Sequence, residues 1–192
     1  VLIRHENQIT TKALLDKEKQ ILKFAENSIS TTNPIIKENK FNNHLSKFES
    51  RQNFSGNNYK MNHSQIRAIK HILTSKDKIT TIEGLPGVGK STVLNAVRDI
   101  SGSKIINLIG SPFSFGEKFE GSAPTASAAR TLQISAKVES QTLHSFLGKY
   151  SGYIEGRGSK GSLNHFKQEY KNKIIFVDEA SLISTNMMHK LL

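Results

Sequence analysis

The chain has no cysteine and no tryptophan among its 192 residues, and only four prolines. The absence of cysteine excludes disulfides and cysteine-ligated zinc, and it fits a reducing compartment such as the cytoplasm. No apolar run approaches the roughly 18 residues that a membrane-spanning helix requires. The chain must therefore fold around a hydrophobic core, which its 36% of hydrophobic residues can supply.

Acidic residues are scarce relative to basic ones. The chain has 16 Asp and Glu against 27 Lys and Arg, for a formal net charge of +11. A sequence pI near 9.8 suits a protein that meets polyanions such as nucleic acid. The same excess also serves solubility, and the mean hydropathy of -0.41 indicates a partly solvated chain. Charge alone therefore leaves the partner open.

The first sixty residues have a helical pattern followed by a polar stretch. Thr10 and Thr11 precede residues 12–29, in which apolar residues recur at mostly helical spacing, so we expect a helix with a threonine cap. Residues 33–60 are rich in Asn, Lys and Ser, which predicts a linker or irregular surface structure with one short helix around Phe41, Leu45 and Phe48. Residues 1–60 are thus expected to form an N-terminal helix and a polar linker.

From Met61 onward, helical and strand patterns alternate along the chain. Such alternation is typical of an α/β domain with a parallel sheet. The length of the chain allows one domain with a helical appendage. We therefore expect residues 61–192 to form a single α/β domain.

A glycine-rich segment of the pattern Gly-x4-Gly-Lys-Ser lies between a β-rich run at residues 78–82 and an amphipathic helical run. Its glycines let successive N–H groups point at phosphate oxygens, and the following helix presents its positive N-terminus at the same place. The lysine can reach the β- and γ-phosphates, and the serine hydroxyl can ligate Mg²⁺. The segment predicts a nucleotide site between a strand and a helix, formed by Gly84, Gly87, Val88, Gly89, Lys90, Ser91 and Thr92.

A second pattern occurs about 90 residues later, where residues 174–177 run into the carboxylates Asp178 and Glu179. Four apolar β-formers predict a buried parallel strand that ends at the ligand edge of a sheet. Asp178 would hold Mg²⁺ through a water, and Glu179 would orient and deprotonate the water that attacks the γ-phosphate. Alternatively, the strand simply ends in solvated acids. The preceding phosphate loop favours the first interpretation and makes Lys90 and Glu179 the predicted catalytic residues.

Two further segments stand between these patterns: residues 121–132, with Ala-Pro-Thr followed by small residues, and residues 141–147, with Thr-Leu-His and Phe-Leu. With Gly-Lys-Ser upstream and Asp-Glu-Ala-Ser downstream, residues 61–192 resemble superfamily 1 DNA helicases. The RecD-like helicases and the helicase part of conjugative relaxases of the TraI/TraA type carry similar segments in the same order. Four motifs in the expected order make the resemblance specific.

The resemblance implies a RecA-like P-loop domain that uses ATP and Mg²⁺ and acts on single-stranded DNA. In such helicases the Thr of the Pro-Thr turn touches the DNA backbone, a role that falls here to Thr125; Thr125 is also a good N-cap, and capping alone would explain it. His144 in the second segment is assigned to DNA as well, although a histidine beside Leu143 and Phe146 is often a packing residue.

Such helicases need a second RecA-like domain, whose arginine completes the nucleotide site. Because the chain starts at Val1 and ends at Leu192, soon after Asp178, we expect a first motor domain of a longer protein. By itself such a domain would bind nucleotide without useful hydrolysis or unwinding.

Gln65 has two possible roles. Asn62 and Gln65 fit a capping box at the start of a helix, with Met61 stapled against Ile66. In the helicases that this chain resembles, a Gln about twenty residues before the phosphate loop reads adenine through two hydrogen bonds. A Gln amide donates and accepts at once, which matches the adenine edge. We favour adenine contact.

Two other functions stay open at this stage. The first is a P-loop NTPase that does not act on DNA, although the Asn-Lys-x-Asp pattern typical of guanine recognition is absent from the sequence. The second is a non-catalytic nucleotide-binding remnant. The aromatic, Gly-rich residues 148–173 could be a platform on which single-stranded bases stack, or a surface excursion anchored by its aromatics.

Overall fold

The computed structural model describes residues 2–5, 8–53, 60–85, 87–109, 119–154, 164, 167–171 and 173–192. The N-terminal part begins with an antiparallel hairpin of β1 (Leu2–His5) and β2 (Gln8–Thr11), in which Leu2 pairs with Thr11. Helix α1 (Lys12–Asn27) follows directly. The Thr11 hydroxyl accepts a hydrogen bond from the backbone N–H of Leu14 at 3.2 Å, so the predicted threonine cap and helix are confirmed.

Two helices connect α1 to the phosphate loop: α2 (Phe41–Asn53), preceded by a 3₁₀ turn at Glu38–Lys40, and α3 (His63–Thr74). The predicted short helix around Phe41 is therefore confirmed. This stretch also contributes to the core, because Ile36, Phe41, Leu45 and Phe48 are all buried in the same cluster as residues of the α/β part. The apolar residues within the polar stretch therefore belong to the same core as the α/β part.

The α/β part consists of elements that follow the loop in alternation. They are α4 (Lys90–Ile109), β3 (Phe119–Ala123), α5 (Ala126–Ala136), β4 (Ser140–Thr142), α6 (Leu143–Ile154), β5 (Ile174–Val177), a 3₁₀ turn (Ala180–Leu182) and α7 (Thr185–Leu191). The three strands form a parallel sheet in the order β4-β3-β5. The predicted α/β class with a parallel sheet is confirmed.

Helices cover both faces of this sheet, and alternate residues of each strand point to opposite faces. Phe119 and Phe176 lie on one face, with ring centroids 5.4 Å apart, and pack into a core that includes Ile69, Val97 and Leu132. Ile175 lies on the other face, with a smaller cluster from α6 and α7 made by Leu143, Phe146, Leu147, Met187 and Leu191. None of the helices that the structure describes is long and apolar enough to cross a membrane.

The predicted strand at residues 78–82 is wrong. These residues are described, and none of them belongs to a strand or pairs with the sheet. Ile82 packs against the core as a partly buried side chain, which accounts for the apolar signal. Strand propensity measures how well a residue fits a half-buried pleated surface. It does not determine whether another strand lies alongside to pair with residues 78–82.

The aromatic, Gly-rich stretch is helical in its first part, since α6 continues through Gly148 and Gly152 to Ile154. Most of the remainder, residues 155–163, lies outside the described residues, as do residues 110–118. Tyr170 is described and packs edge-on against Phe146, with ring centroids 5.8 Å apart. Tyr170 therefore anchors this part of the chain to α6.

Candidate functional site

Two glycines of the phosphate loop have a backbone conformation that other residues rarely adopt. Gly87 has φ 79° and Gly89 has φ 89°, both in the left-handed region. A Cβ atom at Gly89 would lie 2.5 Å from Nε2 of Gln65, so a larger residue there would displace the Gln65 amide. The predicted glycine pattern therefore corresponds to a real turn at these two positions.

Lys90 spans the loop from the first residue of α4. Its Nζ donates to the carbonyl oxygen of Gly84 at 2.7 Å and to that of Leu85 at 3.1 Å. The ammonium group thus lies beside the backbone where the phosphates are expected. Ser91 and Thr92 follow in the first helical turn and are partly buried. The helix N-terminus adds positive partial charge at the same place.

Asp178 and Glu179 lie immediately beyond the carboxyl end of β5. The backbone N–H of Asp178 donates to the Ser122 carbonyl at 2.9 Å, which continues the parallel ladder. The Asp178 Oδ1 accepts the N–H of Glu179 at 2.9 Å. Glu179 is exposed and has φ 49° and ψ 41°, a left-handed conformation that is strained for a residue other than glycine. Strain of this kind concentrates at functional sites.

The loop and the carboxylates belong to one structural unit. Ile82 before the loop and Val93 in the first turns of α4 pack in the same core cluster as Phe176 of β5. Among the described residues, no hydrogen bond or ion pair joins Asp178 or Glu179 to Lys90 or Ser91. The phosphate loop and the carboxylates therefore pack on one common core, while their described polar groups make no direct contact.

Gln65 makes two contacts at once. Its Oε1 accepts the N–H of Asn62 at 3.1 Å while Asn62 Oδ1 accepts the N–H of Gln65 at 2.8 Å, so the capping box is present. Its Nε2 donates to the carbonyl of Val88 at 3.3 Å. The amide therefore links the start of α3 to the phosphate loop. Its contact with adenine stays a prediction.

Thr125 and His144 stand at the same edge of the sheet, where β3 and β4 end side by side. The Thr125 hydroxyl accepts the N–H of Ala128 at 3.1 Å and caps α5, as its sequence context predicts. His144 is exposed in the first turn of α6. Their contact with DNA stays a prediction.

Thr142 is a residue that the sequence analysis gave no role. Its hydroxyl accepts the N–H of Ser145 at 3.1 Å at the start of α6. Ala123 and Thr142 are register partners, so the N-terminus of α5 at Thr125 lies beside the N-terminus of α6 at Thr142. A threonine immediately before an apolar helical run is the signal that could have identified it.

The fold and the loop together define a P-loop nucleotide-binding domain. The family described as AAA domain matches residues 60–192, and the chain belongs to this family. It is similar to the multifunctional conjugation protein TraI of Escherichia coli strain K12, with 29% identity over 129 residues, which are 67% of this chain and 6% of the relative. A second Escherichia coli TraI is 29% identical over 121 residues, which are 63% of this chain and 6% of that relative.

These similarities confirm the predicted resemblance to TraI-type and RecD-like helicase domains. The chain spans about 6% of the length of each TraI relative. Nucleotide and Mg²⁺ use follows for the domain class as a whole.

Proposed function

We propose that this domain binds ATP with Mg²⁺ and serves as the first motor domain of a DNA helicase, of the kind found in conjugative relaxase-helicases. The observation that carries the proposal is the phosphate loop, with left-handed Gly87 and Gly89 and with Lys90 reaching across it. Residues 61–192 form the motor domain, and residues 1–60 are an N-terminal segment whose described helices pack against it. In the full-length protein, ATP hydrolysis would be coupled to translocation on single-stranded DNA.

The residues present fit ATP and Mg²⁺. The N–H groups of residues 87–91 suit phosphate oxygens because the loop has left-handed glycines and precedes a long helix. Ser91 and Asp178 offer a hydroxyl and a carboxylate, the hard oxygen ligands that Mg²⁺ prefers. Bound Mg²⁺ neutralises charge on the phosphates. Lys90 would hold the β- and γ-phosphates in place, and Glu179 would accept the proton of the attacking water.

A calorimetric titration of the chain with ATP, once with Mg²⁺ and once with EDTA, tests the nucleotide half of the proposal. Tight binding that weakens without Mg²⁺ is the expected result. Binding that is indifferent to Mg²⁺ would contradict the roles of Ser91 and Asp178.

Two adjacent helix starts support the DNA half of the proposal. The N-termini of α5 and α6 lie at the end of paired strands β3 and β4, each capped by a threonine. Free N–H groups at helix starts attract phosphate, and neighbouring phosphates of a single strand could bind both. Thr125 is therefore proposed to contact the DNA backbone, with His144 beside it on the exposed first turn of α6.

Changing Thr125 to Asp separates DNA binding from capping. Aspartate caps a helix as well as threonine does, but its charge repels a phosphate. We expect the melting temperature to stay near that of the wild type while affinity for a fluorescent single-stranded oligonucleotide, measured by anisotropy, falls at least about tenfold.

Thr125→Ser is the matched control, since it keeps both the hydroxyl and the cap, and it should bind DNA like the wild type. If Thr125→Asp binds DNA as well as Thr125→Ser does, the threonine only caps α5. Absence of DNA binding by the wild type would instead favour a P-loop NTPase that does not act on DNA.

Changing Gln65 to Ala tests adenine recognition. The ratio of ATP affinity to GTP affinity isolates the base contact, because loss of the Val88 bond affects both nucleotides equally. If Gln65 reads adenine, we expect that ratio to fall about tenfold in competition titrations, as two hydrogen bonds to the base are lost. An equal loss for ATP and GTP, with a lower melting temperature, would assign Gln65 to the capping box and the loop alone.

A further inference from the structure

Within the part of the chain that the structure describes, the segment leading into the phosphate loop pairs with no strand. In a parallel sheet, ladder hydrogen bonds fix the backbone of each strand on both sides. Residues 79–83 take no part in the described sheet. Another part of the structure must therefore set the position of the backbone that enters Gly84.

That role falls to the residues after α1. The N–H of Lys78 donates to the Ser28 carbonyl at 3.0 Å, and the N–H of Thr32 donates to the Lys76 carbonyl at 2.8 Å. Asp77 Oδ1 accepts the N–H of Ser30 at 2.8 Å. Residues 28–32 and residues 76–78 are thus joined by two backbone hydrogen bonds, one donated in each direction, and by the Asp77 carboxylate.

Helix α1 also contacts α7, the helix that follows the Asp178–Glu179 carboxylates. Lys17 donates from Nζ to Asn186 Oδ1 at 2.6 Å, and Gln20 Oε1 lies 2.5 Å from Nε2 of His189. One turn further along, the Lys78 ammonium lies 4.9 Å from the ring centroid of Phe24. Positions 17, 20, 24 and 28 are spaced by three or four residues, so one stripe of the helix makes all of these contacts.

Polar pairs carry the contact between α1 and α7. The two helices pack against each other, but a cavity of about 200 Å³ lies beside the contact, lined by Gln20, Ile21, Phe24, His189 and Leu192. Met187 and Leu191 pack α7 against α6, and the hydrogen bonds of Asn186 and His189 add the contact with α1. Helix α7 begins at Thr185, so it fixes the far end of the turn that contains Asp178 and Glu179, while the hydrogen bond to Ser122 fixes the near end.

We infer that α1 and residues 28–32 form a brace that positions both halves of the nucleotide site: the phosphate loop through residues 76–78, and Asp178 through α7. The inference rests on the proposed function, because it assigns positioning residues to that site. Asp77 and Asn186 are positioning residues at the two ends of the brace. They act through the backbone and α7, and touch no nucleotide.

The test compares nucleotide affinities of Asp77→Ala and Asn186→Ala in the 192-residue chain, with ATP in Mg²⁺ and in EDTA. We expect Asp77→Ala to raise the dissociation constant about threefold to tenfold under both conditions, as one side-chain hydrogen bond that holds the lead-in is lost. Asn186→Ala should leave the affinity in EDTA unchanged and reduce the gain that Mg²⁺ provides. If Asp77 and Asn186 only stabilise the fold, both variants should lower the melting temperature, and their effects on ATP affinity should not differ between Mg²⁺ and EDTA.

Asp77→Asn is the matched variant, since its amide oxygen can still accept the N–H of Ser30, and it should restore wild-type affinity. Lys19→Ala, at an exposed position of the same helix, controls for changes in α1 itself. Wild-type affinity of Asp77→Ala in a chain with a lowered melting temperature would overturn the brace and leave the proposed function standing. Absence of ATP binding by the wild type and Lys19→Ala alike would overturn the proposed function itself, and the brace with it.

Discussion

Changing Lys90 to Ala should weaken ATP binding by at least about 2 kcal/mol, or roughly thirtyfold in dissociation constant. The ammonium group is the only cation in the loop segment 84–91, and charge-assisted hydrogen bonds to phosphate are among the strongest available to a side chain. Its Nζ already stands within hydrogen-bond distance of two loop carbonyls. ATP would therefore meet a lysine that is positioned before binding. Calorimetric titration of ATP with Mg²⁺ measures the effect.

Lys76→Ala controls for the loss of one positive charge near the loop. Its side chain is exposed, and only its carbonyl takes part in the contact with Thr32. We expect it to bind ATP like the wild type. If Lys90→Ala and the wild type show the same affinity, the phosphate-loop assignment fails, and with it the proposed function.

The second large effect is expected for Gly89→Ala. Alanine at φ 89° costs roughly 1–2 kcal/mol, and its Cβ would come within 2.5 Å of Gln65 Nε2. That amide can move away only by giving up the Val88 carbonyl and straining the capping box. We expect at least a tenfold (about 1.4 kcal/mol) loss of ATP affinity, together with lower stability in chemical denaturation.

The chain offers graded controls for this change. Gly87 also has positive φ, but a Cβ there meets nothing within 4 Å, so Gly87→Ala measures backbone strain without the clash. Combining Gly89→Ala with Gln65→Ala should remove the clash and leave the strain. Gly148→Ala, in helix α6 with open space around it, should stabilise the chain by about 1 kcal/mol. Wild-type affinity and stability of Gly89→Ala would show that the loop conformation differs from the one described.

Local features of the site could be predicted because they depend on few neighbouring residues. Glycine adopts positive φ at little cost, so the pattern with Gly87 and Gly89 indicated a tight turn. A capping side chain bonds within three residues of itself, which made Thr11, Asn62 and Thr125 recognisable as helix starts. The apolar run before Asp178 likewise predicted the parallel strand β5, although only Phe176 of its four residues is buried.

Structural features that depend on residues distant in the sequence could not be predicted from local sequence patterns. Residues 78–82 have strand-like composition, yet they do not pair, because pairing depends on which strand lies alongside. Residues 33–53 are polar on average, but four buried apolar side chains attach them to the core. Average composition does not identify the few positions that become buried.

The sequence by itself determined the phosphate loop, the Asp-Glu pair, the alternation of helices and strands, and the resemblance to superfamily 1 helicase domains. Each depends on residue types at short spacing, where backbone preference and side-chain chemistry act directly. Only the tertiary structure decided that Gln65 bonds to Val88, that residues 28–32 hold residues 76–78, and that one stripe of α1 also reaches Asn186. These contacts join residues far apart in the chain, and their geometry arises from how the helices pack around the shared core.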